Sequence, residues 1–389
     1  MTRTSAARDR TAAARDRTAP ARDRTAALEH SLFLVLPALL LGVVLRDMVA
    51  HGLVAVDFRR EYWVAGARVL HGTSPYAWSH AQIAAGVSFP YPALAALLFV
   101  PFGLLPVAVS EALFTAVCIA AAVLTLRVLN VRDWRLYGLV LMWSPVIAVV
   151  QTGNLTLLLA LGLALLWVNR DRPVAAGALV ALLVSLKPFT WPLGVWLIAT
   201  RRYRAAGWAL ASGLVLNAVA WSVVGVGRLS QFVTLSGQVT DALAKDGYGV
   251  IAVAMHLGAG RGTGELLEGA LSLALALACV AAGRRGRERE ALALATGLML
   301  AASPLVWNHY LALLIVPLAL ARPRLAWPWA AGIVLWLCPS DGVATWQSLL
   351  AWALSGATIA VLVLPAAPAI GSLRPRLPGG AAVTGGGAP

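Results

Sequence analysis

Long apolar runs separated by short basic loops constrain this chain more than any other feature. Sixty per cent of its 389 residues are hydrophobic and only 12% are charged, whereas a soluble domain carries about a quarter charged residues. A hydrocarbon core of about 30 Å takes roughly 20 apolar residues per helix. The pattern therefore predicts an all-α polytopic membrane protein with about twelve transmembrane helices and helical outer loops. The predicted spans run roughly over 31–45, 108–126, 136–150, 155–168, 174–186, 189–200, 205–225, 266–282, 291–305, 310–321, 325–338 and 343–364. Several hold only 12 to 15 residues, and such spans extend past these bounds or stop part-way beside a polar cavity.

The net charge of +14 raises nucleic-acid binding as a possibility, and its distribution argues against it. Lysine and arginine concentrate in cytoplasmic loops of membrane proteins. With the N-terminus inside, the inner segments hold 23 of the 31 basic residues; the outside keeps Arg46, Arg59, Arg60, Arg68, Lys187, Arg228, Lys245 and Arg261. The acids show no such bias. This orientation puts both termini in the cytoplasm. It also requires residues 93–105 to lie at or re-enter the outer surface, broken by Pro101 and Pro106, because a further span there would invert every later loop.

Residues 1–29 form a basic tail holding three near-identical ARDRTA heptads. They lack the large apolar residues of a coiled-coil seam and read as a disordered segment attracted to anionic lipid. Residues 30–365 form the membrane domain, and 366–389 a Gly- and Pro-rich tail. A cleaved signal peptide is the rival reading of the first span. A retained helix is favoured, because Arg46 and Asp47 follow it without a clear cleavage site. Cys118, Cys279 and Cys338 all lie in apolar runs and read as packing residues. No metal or cofactor is expected: there is no DxD pair in the first outer loop, no HExxH, and no phosphate-binding glycine loop.

The polar stretch from Asp57 to Tyr76 stands out between apolar blocks. It contains Asp57-Phe58, Tyr62, Ala65, and then Gly72, Pro75 and Tyr76. Gln151–Asn154 (QTGN), Leu186–Pro188 (LKP) and Ser303–Tyr310 (SPLVWNHY) follow in order. In this composition and order the chain resembles glycosyltransferase family 87 over roughly residues 30–365. These are bacterial membrane mannosyltransferases of GT-C fold that use polyprenol-phosphate-mannose. The resemblance implies transfer of mannose to a lipid-linked glycan acceptor, a glycolipid or lipoglycan, at the outer face of the plasma membrane. It implies inversion at the sugar carbon, with Asp57 as general base. Lys187, His309 and Arg59 become candidates for the donor phosphate. Tyr62, Gln151, Asn154 and Asn308 become candidates for substrate hydroxyls. The Ala- and Arg-rich composition suits an actinobacterial cell envelope. Membrane lipids are the other expected partner, and nucleic acid is not one.

Each residue also has a plainer reading. Asp57 could cap the helix that follows it. Lys187 could snorkel to the head groups. His309 could be a hydrogen-bonded packing residue, and Gln151 and Asn154 could serve a turn at Gly153. A lipid or small-molecule transporter is the rival function. It predicts midplane charges and a repeated half, neither of which the sequence offers. The expected topology is checked by cysteine-accessibility labelling: positions near Ser74 and Lys245 react from outside and positions near Arg202 and Arg287 from inside. Labelling of the Lys245 and Arg202 positions from one side would overturn it.

Overall fold

The structure is a computed structural model, described over residues 28–338 and 343–363. The ARDRTA heptads and the C-terminal tail lie outside the described residues; of the N-terminal tail, Leu28 and Glu29 are described and already belong to the first helix. The described residues are helical throughout, with no strand among them.

Five helices are long and apolar enough to cross a membrane: α1 (Leu28–Ala50), then four more after the polar stretch. A short helix α2 (Trp63–Leu70) follows a π-helical turn at Phe58–Tyr62. The second long helix is α3 (Val107–Val128). Helices α4 (Arg135–Leu141) and α5 (Ser144–Thr152) form a pair bent by 51°, a possible sixth crossing. Shorter apolar helices come next: α6 (Thr156–Val168), α7 (Pro173–Leu186) and α8 (Pro192–Ala199). The long α9 (Tyr203–Val224) leads to the amphipathic α10 (Leu229–Leu243). The chain closes with α11 (Arg261–Arg284), α12 (Glu288–Ala301), a 3-10 segment Asn308–Leu314 running into α13 (Ile315–Ala321), and α14 (Thr345–Val363). Each expected span coincides with a helix or a broken helical segment, but helix length supports five or six crossings rather than twelve.

Residues 93–105 hold no helix long enough to cross. They form helices Ala93–Leu98 and Val100–Gly103, of six and four residues, far short of a crossing. The pair packs on α2, and the Trp63 indole donates to the Phe102 carbonyl at 3.1 Å.

Proline and glycine set the breaks. Pro173 opens α7, where a missing N–H costs nothing. Pro188 ends it, because a residue before proline is pushed out of the helical region; Lys187 is extended at φ −142° and ψ 104°. Gly153 ends α5 in the left-handed region at φ 68°, and a Cβ there would lie 2.6 Å from the Phe58 Cβ.

The short loops gather at one end of the bundle through ion pairs. Arg202 bridges Asp171 at 2.7 Å and Glu288 at 2.9 Å, and Arg170 reaches Glu288 at 3.2 Å. Arg135 pairs with Asp133 at 2.9 Å and Glu29 at 3.4 Å. Asp133 also accepts the Leu325 N–H at 2.8 Å. These contacts join the chain entry and the loops around residues 133, 171, 202, 288 and 325, where the basic clusters lie. The sequence motifs fall at the opposite helix ends.

The tightest helix pair is α7 against α9. Gly177 makes it possible: a Cβ there would lie 2.5 Å from the Trp208 Cβ and 2.6 Å from the Ala205 carbonyl oxygen. Gly177→Val should therefore force the pair apart and cost about 1–3 kcal/mol, as overpacking does. A lowered thermal midpoint of the purified protein checks this, with Gly194→Val, which meets no neighbour within 4 Å, as the comparison.

Candidate functional site

The site is built where four chain breaks meet. Its floor is aromatic. Phe58 stacks on Phe114 at 4.7 Å and meets Phe99 and Phe102 edge-on. This packing fixes the turn that carries Asp57. The Ala55 N–H donates to the Val150 carbonyl at 3.1 Å, so the same turn docks on the end of α5. Asp57 stands at the start of the helical turn with helical backbone angles and makes no side-chain cap bond. The capping alternative is thus not realised. Asp57 lies within electrostatic reach of Lys187, Glu61, Tyr91 and Tyr310.

Lys187 is only 1% exposed, so it does not snorkel. Its Nζ donates to Asn154 Oδ1 at 2.9 Å. The ammonium faces three rings: Tyr310 at 4.3 Å, Tyr91 at 5.0 Å and Phe189 at 5.7 Å from their centroids. Ring faces are electronegative and replace part of the water a buried cation loses. Asn154 carries the link onward. Its Nδ2 donates to the Tyr62 hydroxyl at 3.1 Å, and its Oδ1 also accepts from Thr156 at 3.0 Å. Tyr62 is fully buried, stacked on Tyr91 at 5.2 Å. Tyr62 and Asn154 therefore back the site and hold Lys187 from behind.

The fourth break brings Asn308 and His309. Asn308 donates to Ser144 Oγ at 2.9 Å and to the Cys338 carbonyl at 2.6 Å, which fixes the side chain. Its Oδ1 and the His309 Nε2 are both buried without a hydrogen-bond partner among the described residues. Buried polar atoms are nearly always paired, so each of these atoms has capacity for a further hydrogen bond. The His309 ring meets Tyr310 edge-on at 4.9 Å, which ties it to the ring box around Lys187.

Two sequence candidates sit differently. Arg59 points to the other side of its helix: it pairs with Glu111 at 3.3 Å and donates to the Gly52 carbonyl at 2.7 Å. Gln151 occupies the last turn of α5, half-buried, two residues before Gly153. Sequence reasoning did not single out Tyr91, Phe189 or Tyr310 as the box around Lys187. Their only signal was adjacency to Pro90, Pro92, Pro188 and His309. It also passed over Glu61 as a buried group: its carboxyl accepts the Ser88 N–H and is raised well above the usual range by burial and by Asp57 beside it. No group of three or more metal-ligating side chains occurs among the described residues.

The family model for glycosyltransferase family 87 matches residues 89–304, more than half of the chain. Gln151, Asn154 and Lys187 lie within that stretch; Asp57, Arg59, Tyr62, Asn308 and His309 lie beyond its ends. No curated protein and no solved structure matches.

Asn154 is the joint of this cluster. Asn154→Leu removes the acceptor from a buried ammonium and the donor from Tyr62. Leaving a buried donor without its acceptor costs about 1–3 kcal/mol, and more where the donor is charged. The expected result is a marked drop in thermal midpoint, partly restored by Asn154→Leu combined with Lys187→Met, and a thermal-shift series in detergent reads both.

Proposed function

Since the chain belongs to glycosyltransferase family 87 and is a membrane glycosyltransferase, we propose that it transfers mannose from polyprenol-phosphate-mannose to a lipid-linked glycan acceptor, with inversion, at the extracytoplasmic face of the plasma membrane. One observation supports this reading most: Asp57, Lys187 and the orphaned His309 Nε2 come from separate chain breaks into one buried cluster, opposite the basic loops.

The chemistry follows from the charges. Asp57 accepts the proton of the acceptor hydroxyl. The freed oxygen forms a bond to the anomeric carbon from the face opposite the phosphate. The bond from that carbon to the phosphate oxygen breaks, and its electron pair leaves with the phosphate. Phosphate departs without a strong acid, so one carboxylate suffices, unlike glycoside hydrolysis with its two. The Lys187 ammonium offsets charge on the departing phosphate, worth most where water is excluded. His309 Nε2 has the free capacity to meet a phosphate oxygen or a sugar hydroxyl, and Asn308 Oδ1, an acceptor, a sugar hydroxyl. The positive-inside count supports the outer placement.

Asp57→Asn tests the assignment. It keeps size and removes basicity, and a general base contributes about 10²- to 10⁴-fold in rate. The variant should insert, bind donor and transfer barely at all in single-turnover assays with purified protein in lipid. Lys187→Gln should instead weaken apparent donor affinity. Transfer by Asp57→Asn within a few-fold of the parent would overturn the base assignment.

A further inference from the structure

Two acids, not one, stand on the helical turn that opens the site. Asp57 and Glu61 are four residues apart, so they share a helix face with Cβ atoms about 6 Å apart. Glu61 is 6% exposed. Its carboxyl accepts the backbone N–H of Ser88, two residues before Pro90 and three before Tyr91. Glu61 thereby ties the 87–92 loop, whose Tyr91 ring covers Lys187, to the helix that carries Asp57.

We propose that Glu61 is a positioning residue that works in its neutral, protonated form, holding the Tyr91 loop and leaving Asp57 as the only carboxylate of the pair. This rests on the reading of Asp57 as the base. The groups facing Glu61 are Asp57 and Arg60 on its own element, Lys187 at the α7–α8 break, and Tyr91 on the loop. Tyr62 follows it in sequence, and Tyr310 faces it from the 3-10 segment. His309, next to Tyr310, is the remaining titratable neighbour, within electrostatic reach of Lys187. Lys187 brings one positive charge to this interior. A sugar phosphodiester donor brings one negative charge and Asp57 another. These sum to one net negative charge, and a second carboxylate would add another with no cation to offset it, which is strongly unfavourable. A carboxylic acid avoids that cost and still accepts the Ser88 bond. Burial and the Asp57 charge both favour the protonated state.

The linkage has a definite sign. A folded-state pKa raised above the unfolded value means the folded protein binds the extra proton as pH rises past the usual carboxyl range. Stability from this group is thus fullest in acid and is lost towards the raised folded pKa. Glu61→Gln is permanently neutral, retains an oxygen for Ser88, and removes that slope.

The test uses the full chain in lipid, with polyprenyl-phosphate-mannose as donor and a phosphatidylinositol mannoside as acceptor. Parent, Glu61→Gln, Glu61→Asp and Asp57→Asn are compared from mildly acidic to alkaline pH. Glu61→Gln is expected to turn over within a few-fold of the parent at neutral pH. Its donor KM should rise less into alkali than the parent's, in which Glu61 also ionises, and its thermal midpoint should fall less with pH. Glu61→Asp, one methylene short of Ser88, should lose kcat. Identical pH profiles and thermal slopes for parent and Glu61→Gln would overturn the proposal. So would a Glu61→Gln that binds donor yet transfers about 10²-fold or more slowly, the loss expected of a general base. The Asp57→Asn arm separates the two readings. An inactive Glu61→Gln with an active Asp57→Asn moves the base to Glu61 and overturns both. Active Asp57→Asn with a flattened Glu61→Gln profile overturns only the base assignment.

Discussion

The fold is arranged around one ammonium group that has been taken out of water. A lysine inside an apolar helix costs about 2.5–3.5 kcal/mol on insertion scales, and Lys187 has no route to the surface. What holds it is a carbonyl oxygen of Asn154 and a box of three rings. Each of these partners stands at a helix break. Asn154 follows Gly153, Phe189 follows Pro188, Tyr91 lies between Pro90 and Pro92, and Tyr310 lies in a 3-10 segment. Irregular backbone within a membrane is tolerated only where protein or a polar cavity satisfies it. The breaks and the charge therefore solve each other's problem at the same place.

This explains which parts of the site were legible in the sequence. Lysine before proline in an apolar run is conspicuous, since both residues are expensive there. Asp57 was conspicuous because it opens the one long polar stretch. Gly153 announced a turn, and its positive φ bears that out. The aromatic box was not legible. Fifteen tryptophans made interfacial belting the obvious use of rings, and the three that matter are two tyrosines and a phenylalanine. Arg59 misled for a related reason. Charge alone says nothing about which helix face an arginine occupies, and Glu111, 52 positions away, decides it. Glu61 was legible only as a second acid sharing Asp57's helical face at i+4. Only the tertiary packing of the 87–92 loop buries it.

Of the fold, the helix positions and the break in the apolar run at residues 93–105 followed from apolar runs and prolines. The ion pairs among Arg170, Asp171, Arg202 and Glu288 were not foreseen, but they join the same loops that the charge count grouped. Exposed pairs of this kind contribute little stability each; their arrangement matters here because it ties separate loops at one end of the bundle. The number of crossings did not follow as cleanly, because a run of 13 or 14 apolar residues satisfies a hydropathy count without spanning about 30 Å.

The short helices also set the depth of the site. Helices α7 and α9 start together, with Gly177 against Ala205 and Trp208. They are still level near the end of α7, where Asn217 donates to Ser185 at 2.7 Å. Two residues later α7 stops at Lys187, while α9 runs on to Val224. At about 1.5 Å per residue, the five or so residues of α9 beyond the level of the lysine rise roughly 7 Å. Lys187 is therefore sunk below the end of α9 instead of standing level with it. A water-soluble sugar nucleotide would have to descend into that recess without its hydration. A phosphate carried on a lipid already sits at the boundary of the hydrocarbon and needs only to move sideways. On the proposed reading, the truncated helices make the lipid-linked donor the natural one: they lower the binding cation to the level at which such a phosphate lies.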